Sequence, residues 1–152
     1  YGITNDAYHI TQPHNKSTGA TSAIELALKD GAINKDEVSY INANGTSTYY
    51  NAMLETQAIK QAFGHTANDL LISSTKSMTG HMLGATGAIE AITCIYAMNH
   101  GIVPPTINYE TPDPECDLNY VPNKSMESNL TVTMSNSFGF GGHNSVLAFK
   151  KF

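Results

Sequence analysis

Three consecutive stretches decide the fold: Val38-Ser-Tyr-Ile-Asn-Ala43, the polar run Asn44-Gly-Thr-Ser-Thr48 behind it, and Leu70-Leu-Ile-Ser-Ser74 further on. The first alternates apolar and polar residues as a half-buried strand does, and the last is an apolar run of strand length. Between them Met53, Leu54, Ala58, Ile59 and Ala62 recur at helical spacing over residues 50–63 and stop at Gly64. The order strand, helix, strand predicts an α/β layered domain with helices packed on both faces of a mixed sheet.

Upstream, residues 1–12 suit a short extended segment entering a loop. Ala20, Ile24, Ala27 and Leu28 then mark an amphipathic helix, with Ser17 or Thr18 as its N-cap and Gly31 as its stop. Downstream, Leu83, Ile89, Ala91, Ile92, Ile95 and Met98 predict one long buried helix over about residues 78–99. Gly80, Gly84, Ala85 and Gly87 crowd its N-terminal end, where each glycine costs about 1 kcal/mol against alanine. Close backbone packing is expected to offset that cost. Residues 104–122 read as a long irregular connection. Strands over 130–136 and 144–150 would close a hairpin around Ser137-Phe-Gly-Phe-Gly-Gly142.

The 152 residues (16.3 kDa) suit one core, and a charged fraction of only 14% argues against disorder. A net charge of −5 with no Lys/Arg cluster offers no footprint for nucleic acid. No apolar run approaches the roughly 18 residues of a membrane span, and no signal peptide opens the chain. Cys94 and Cys116 lack metal-binding spacing, so no metal or other cofactor is expected, and the reducing cytoplasm is the expected home. Tyr1 in the initiator position suggests that the sequence begins mid-protein.

Three polar loops follow strands, and α/β sites form beyond the carboxyl ends of strands. The first, residues 42–48, offers hydroxyls and amides for an amide-bearing substrate, or simply a helix cap. The second, Ser73-Ser-Thr-Lys-Ser-Met-Thr-Gly-His81, sets an ammonium and an imidazole beside a buried helix. A lysine deep in a mostly apolar protein needs a partner, and Glu90, later on the same expected helix, is the candidate. Lys76, His81 and Glu90 together point to a site more strongly than a lone structural histidine would. The third, Phe138-Gly-Phe-Gly-Gly-His-Asn144, fails the GxGxxG fingerprint, since Asn144 stands where the third glycine belongs. It is a mobile glycine hinge or a plain hairpin turn with Phe138 and Phe140 in the core. Cys94 lies among apolar residues as an inert thiol, and acidic Glu115 and Asp117 disfavour a Cys116 thiolate. His14, His65 and His100 sit in turn-like, exposed settings.

Taken in order, Asp6-Ala-Tyr-His9, residues 42–48, residues 73–81, Pro112-Asp-Pro-Glu-Cys-Asp-Leu118 and Ser135-Asn-Ser-Phe-Gly-Phe-Gly-Gly142 resemble the C-terminal half of bacterial β-ketoacyl-acyl-carrier-protein synthases of the type II elongating class. The resemblance covers essentially the whole chain. It implies one half of a thiolase-like fold, in which two similar α/β halves form a five-layered unit that usually dimerises. It also implies an acyltransferase of fatty acid biosynthesis that works by decarboxylative Claisen condensation. In such a reaction a cysteine takes the acyl chain from its carrier, and the carbanion formed by malonyl decarboxylation attacks it. The implied partners are an acyl carrier protein with its phosphopantetheine arm, the N-terminal half that bears the nucleophile, and a second copy of the complete chain.

Carried over by position, His81 is one of two imidazoles that stabilise the thioester enolate, Lys76 orders the site and Glu90 holds Lys76. Thr11, Thr46 and Thr48 bind the pantetheine amides, and Phe140 gates the acyl pocket. Two departures stand out. The family has histidine at the position of Asn44, and an asparagine amide nitrogen falls roughly 2 Å short of the far ring nitrogen. Losing one such donor costs about 3 kcal/mol, or about 100-fold in rate. The same loop reads Thr48-Tyr-Tyr-Asn-Ala52, where the family usually has proline after the threonine and aspartate after the asparagine. The resulting expectation is a ketosynthase C-terminal domain, inactive alone. The alternatives are a non-catalytic partner like a chain-length factor and a degenerate paralogue or gene fragment.

Overall fold

The structure, a computed structural model, describes residues 1–151. Its main sheet has five strands, in the order β1 (Gly2–Asn5), β7 (His143–Lys150), β6 (Val132–Gly139), β2 (Val38–Asn42) and β3 (Leu71–Ser73). β6, β2 and β3 run parallel, while β7 is antiparallel to both β6 and β1. Four strands therefore point the same way, and the segments that follow β1, β2, β3 and β6 all emerge at one edge of the sheet.

Helices α1 (Thr18–Asp30) and α2 (Tyr49–Phe63) cover one face, and α4 (Thr86–His100) lies on the other. Strand alternation sends Ile41, Ile72 and Met134 to the first face, where they meet Ile24, Leu28, Ile59 and Phe63. Tyr40 points the other way, into a smaller cluster with Cys94, Met98, Val103 and Leu130. Burying each such large apolar side chain is worth about 1.5–3 kcal/mol. The mixed sheet and its two helical layers agree with the sequence reading, as do α2, β3 and the β6–β7 hairpin.

Other expectations fail for physical reasons. The long helix over residues 78–99 is broken: a single turn, α3 (Lys76–Thr79), ends at Gly80 (φ +73°), a 3₁₀ turn follows over Leu83–Ala85, and the α-helix resumes only at Thr86. Leu83 also has a positive φ of +49°. The glycines that the periodicity absorbed thus mark a turn. Nor is α4 buried all round, because Ile89, Ile92, Ile95 and Tyr96 are exposed. On the same side of the sheet, Ile3 of β1 and Leu147 of β7 are also uncovered, so one apolar face stays open. Ser17 holds the N-cap position of α1, but its side chain makes no capping bond; at φ +56° its hydroxyl donates to the Leu54 carbonyl at 2.8 Å and ties α1 to α2. Phe138 is half-buried against the larger core, but Phe140 is 77% exposed and no core residue. His14 is half-buried edge-on against Tyr8, whereas His65 and His100 are exposed. A small two-stranded sheet, β4 (Ile102–Val103) with β5 (Met126–Glu127), flanks the irregular connection. Among the described residues no helix is long and apolar enough to cross a membrane.

Candidate active site

A cleft of about 660 Å³ opens where β2 and β3 end. Its walls include Thr46, Thr48, Lys76 and His81, with Tyr109 and Cys116 of the irregular connection among the residues lining it. The loop after β2 is shaped by Glu55 of α2. That carboxylate accepts the backbone N–H groups of Asn44 (2.8 Å) and Gly45 (2.9 Å) and the Asn136 amide (3.2 Å). Burial pushes the Glu55 carboxyl above its ordinary range, against the opposing pull of those donors. Gly45 packs so closely that a Cβ there would lie 2.4 Å from the Ser74 Cβ, and the Ser74 hydroxyl donates to the Gly45 carbonyl at 2.7 Å. Thr46 is fixed through its N–H (2.8 Å) and its hydroxyl (3.1 Å), both donating to Asn51 Oδ1, and its Oγ1 lies 3.3 Å from that of Thr48.

Lys76 opens α3 and reaches Glu90 on α4, with Nζ 2.5 Å from Oε1 and side-chain exposures of 6% and 2%. The partner inferred from sequence is the one the fold supplies. Burial nevertheless raises the Glu90 carboxyl above the usual range, because its desolvation outweighs the attraction of the ammonium. Glu90 Oε2 and Asn136 Oδ1 are buried without a protein partner. His81 lies in the turn between α3 and α4. Its Nδ1 accepts the Leu83 N–H at 3.1 Å and lies 3.2 Å from the Thr86 hydroxyl. A ring nitrogen that accepts from a backbone N–H keeps its lone pair, so the neutral ring carries its proton on Nε2. The break in the expected helix brings this about, because an unbroken helix would spend the Leu83 N–H on its own backbone.

Asn44 is buried between the cleft-lining residues Ala43 and Gly45, and its Oδ1 accepts the Phe138 N–H at 3.2 Å. Its amide nitrogen is the free end. Thr11 and Phe140 are exposed and lie outside the cleft lining, on neighbouring segments joined by the Gly141 N–H to the Ile10 carbonyl at 2.7 Å. Of the remaining site candidates, Thr46, Thr48, Lys76 and His81 line the cleft, Glu90 joins it through Lys76, and Asn44 sits between the lining residues Ala43 and Gly45, while Thr11 and Phe140 stand apart on the same edge of the sheet. Burial pushes the Cys94 thiol up to about 12, and its Sγ donates to the Met134 carbonyl at 3.4 Å. Cys116 is also raised, by burial first and by its acidic neighbours second. Among the described residues no group of three His, Cys, Asp or Glu could hold a metal ion.

Glu55 was missed by the sequence reading. The signal was present: it stands three residues before Ala58 and four before Ile59, a carboxylate on the helix face that carries the apolar stripe. Asn136 left no such signal, because only the fold sets the end of β6 against α2.

The β-ketoacyl synthase C-terminal domain family matches residues 1–110. The chain belongs to that family. Among the relatives of this ketosynthase domain, 3-oxoacyl-acyl-carrier-protein synthase 2 of Synechocystis is 58% identical over all 152 residues, which is 36% of that protein. A type II polyketide ketosynthase, solved in complex with its acyl-carrier protein and bound to the hexaketide, superposes with a TM-score of 0.95. It is 40% identical over 99% of this chain and 38% of its own. The ishigamide ketosynthase/chain length factor gives a TM-score of 0.94 at 38% identity, over 99% of this chain and 36% of its own. These ketosynthases establish the fold as thiolase-like. The domain spans a little over a third of the length of each of these three relatives.

Proposed function

We propose that the chain is the C-terminal part of a 3-oxoacyl-acyl-carrier-protein synthase, which elongates fatty acyl chains by decarboxylative condensation with malonyl carrier protein. The observation that carries this reading is His81, placed at the cleft with Nδ1 occupied by the Leu83 N–H and Nε2–H left to donate. A donor fixed before the reaction stabilises the oxygen of a malonyl thioester as it becomes an enolate. Lys76 adds positive charge beside it, held by Glu90. Thr46 and Thr48 offer hydroxyls to the amides of a phosphopantetheine arm, and the Asn44 amide offers a second, shorter donor. Thr11 and Phe140 serve from the neighbouring segments, Phe140 as the gate. The remainder of the protein supplies the nucleophilic cysteine and covers the open apolar face of Ile3, Ile89, Ile92, Tyr96 and Leu147. Acyl carrier protein is the partner that delivers substrate, and the complete protein acts as a homodimer in the cytoplasm.

Two experiments test this. The isolated chain, incubated with labelled acyl carrier protein, should show no acyl adduct by mass spectrometry, since Cys94 is buried with its thiol held protonated. An adduct on Cys94 or Cys116 would refute the reading. In the full-length protein, His81→Ala should slow malonyl decarboxylation by about 100-fold, as expected for one oxyanion donor.

Asn44 and Ala52 favour a second reading, a non-catalytic partner that shapes the acyl pocket of a separate ketosynthase. Asn44→His in the full-length protein separates the two. An enzyme short of one donor gains up to about 100-fold in rate, and a scaffold gains nothing.

A further inference from the structure

We propose that Asn44 is a positioning residue for the flap of residues 138–142, holding its base through the Phe138 amide. The proposal rests on the ketosynthase reading for the purpose of the flap, and on hydrogen bonds alone for the latch itself. β2 ends at Asn42, whose register partner on β6 is Ser135, yet β6 continues four residues further to Gly139. Beyond that point the edge of β6 facing β2 has no strand beside it. The Phe138 N–H points to this edge, and a half-buried backbone donor left without a partner is costly. Asn44 Oδ1 receives it at 3.2 Å, standing in for the carbonyl of a strand that is no longer there. The backbone of Asn44 is in turn fixed to Glu55 of α2 at 2.8 Å. A rigid line therefore runs from α2 through Asn44 to the base of the flap.

The tip of the flap is held from the other side. The Gly141 N–H donates to the Ile10 carbonyl at 2.7 Å, the Asp6 N–H to the Gly142 carbonyl at 2.8 Å, and the Asn5 amide to the Gly141 carbonyl at 3.0 Å. Gly141 and Gly142 sit at φ +78° and +76°, conformations in which glycine turns freely. Phe140, between the two anchors, is exposed. With its oxygen spent on Phe138, the Asn44 amide cannot flip, so its nitrogen remains the donor available to a ligand. One planar group, set between the cleft-lining residues Ala43 and Gly45, thus holds the base of the flap through its oxygen.

Residue-level hydrogen–deuterium exchange on the full-length protein tests the latch without substrate. Asn44→Ala should speed exchange of the Phe138 and Gly141 amides together by about fivefold to tenfold, the worth of one net hydrogen bond, and leave Met134 in the same strand unchanged. An unmoved Phe138 amide would overturn the proposal. So would acceleration at Phe138 without Gly141, which shows a flap indifferent to its base, and so would equal acceleration at Met134, which shows a general loss of stability. In the unsubstituted protein the Phe138 and Gly141 amides should keep protection within about twofold of each other across a denaturant series, as two bonds released by one opening must. Divergence there also overturns it. Decarboxylation assays report on the ketosynthase reading separately: a latch found in an inactive protein leaves that reading alone at fault, and an active protein with unmoved exchange sinks only the latch.

Discussion

Replacing Glu90 by Gln leaves the Lys76 ammonium in a site where its side chain is 6% exposed and its present partner, 2.5 Å away, is 2% exposed. A charge so far from water has lost most of its hydration, and the carboxylate is what replaces it. Removing one member of a buried pair costs about 3–5 kcal/mol, whereas exchanging both for apolar residues of similar volume is often close to neutral. Glu90→Gln, Glu90→Leu and Lys76→Met should each fall in that range, and Glu90→Leu combined with Lys76→Met should cost far less than the sum of those two single losses. At a urea slope of about 2 kcal/mol/M, each single substitution lowers the unfolding midpoint by about 2 M. A double-mutant cycle on the chain at neutral pH reads the coupling directly. Single losses under about 1 kcal/mol, or strictly additive losses, would show that the pair is solvated and that Lys76 is not held for the cleft.

Burial raises the Glu55 and Glu90 carboxyls above 4.5, so the folded chain keeps protons there that the unfolded chain has released. Their stabilising contribution is full below about 4.5 and is lost as pH rises through the folded values. Glu37 and Asp117, lowered by hydrogen bonds from Lys150 and Lys60, act in the opposite sense, and their contribution is lost as pH falls below the ordinary 4.5 and 3.8. Urea midpoints taken from pH 4.5 to 8 should fall less steeply for Glu90→Gln than for the unsubstituted chain, and equal slopes would contradict this assignment. Gly45→Ala sets a Cβ 2.4 Å from that of Ser74 at a φ of +42°, so it should destabilise by about 1–3 kcal/mol in thermal unfolding and displace the loop that carries Thr46. Ile92→Asp, on the exposed stripe of α4, should raise the solubility of the isolated chain in sedimentation assays while leaving its circular dichroism unchanged. A loss of helical signal instead would mean that the stripe is internal packing.

The strands and helices around the cleft were legible because their side-chain periods are local properties. Val38 to Ala43 alternates whatever it pairs with, and Leu54, Ala58, Ile59 and Ala62 share one helix face by spacing alone. Lys76 and Glu90 could be paired because a lysine deep in a mostly apolar protein needs an opposite charge, and Glu90 stands in the apolar run that follows it. The helix over residues 78–99 was misread because a period tolerates small residues that the backbone then uses to turn. Gly80 costs a helix about 1 kcal/mol and a turn at positive φ nothing. Ser17 was placed correctly at the N-cap, but the role of its hydroxyl was hidden because its acceptor, the Leu54 carbonyl, lies on another helix.

By itself, then, the sequence determined the layered α/β class, the family motifs and the identity of the groups able to do chemistry. Those depend on residue type and near-neighbour spacing. Only the tertiary structure decided which nitrogen of His81 is left to donate, that Glu55 shapes the loop of Asn44 and Gly45, and that the end of β6 borrows its missing partner from Asn44. The first of these bonds forms only because the chain turns at Gly80 instead of continuing as helix, and the others depend on where backbone from another element runs, which side-chain periodicity does not encode.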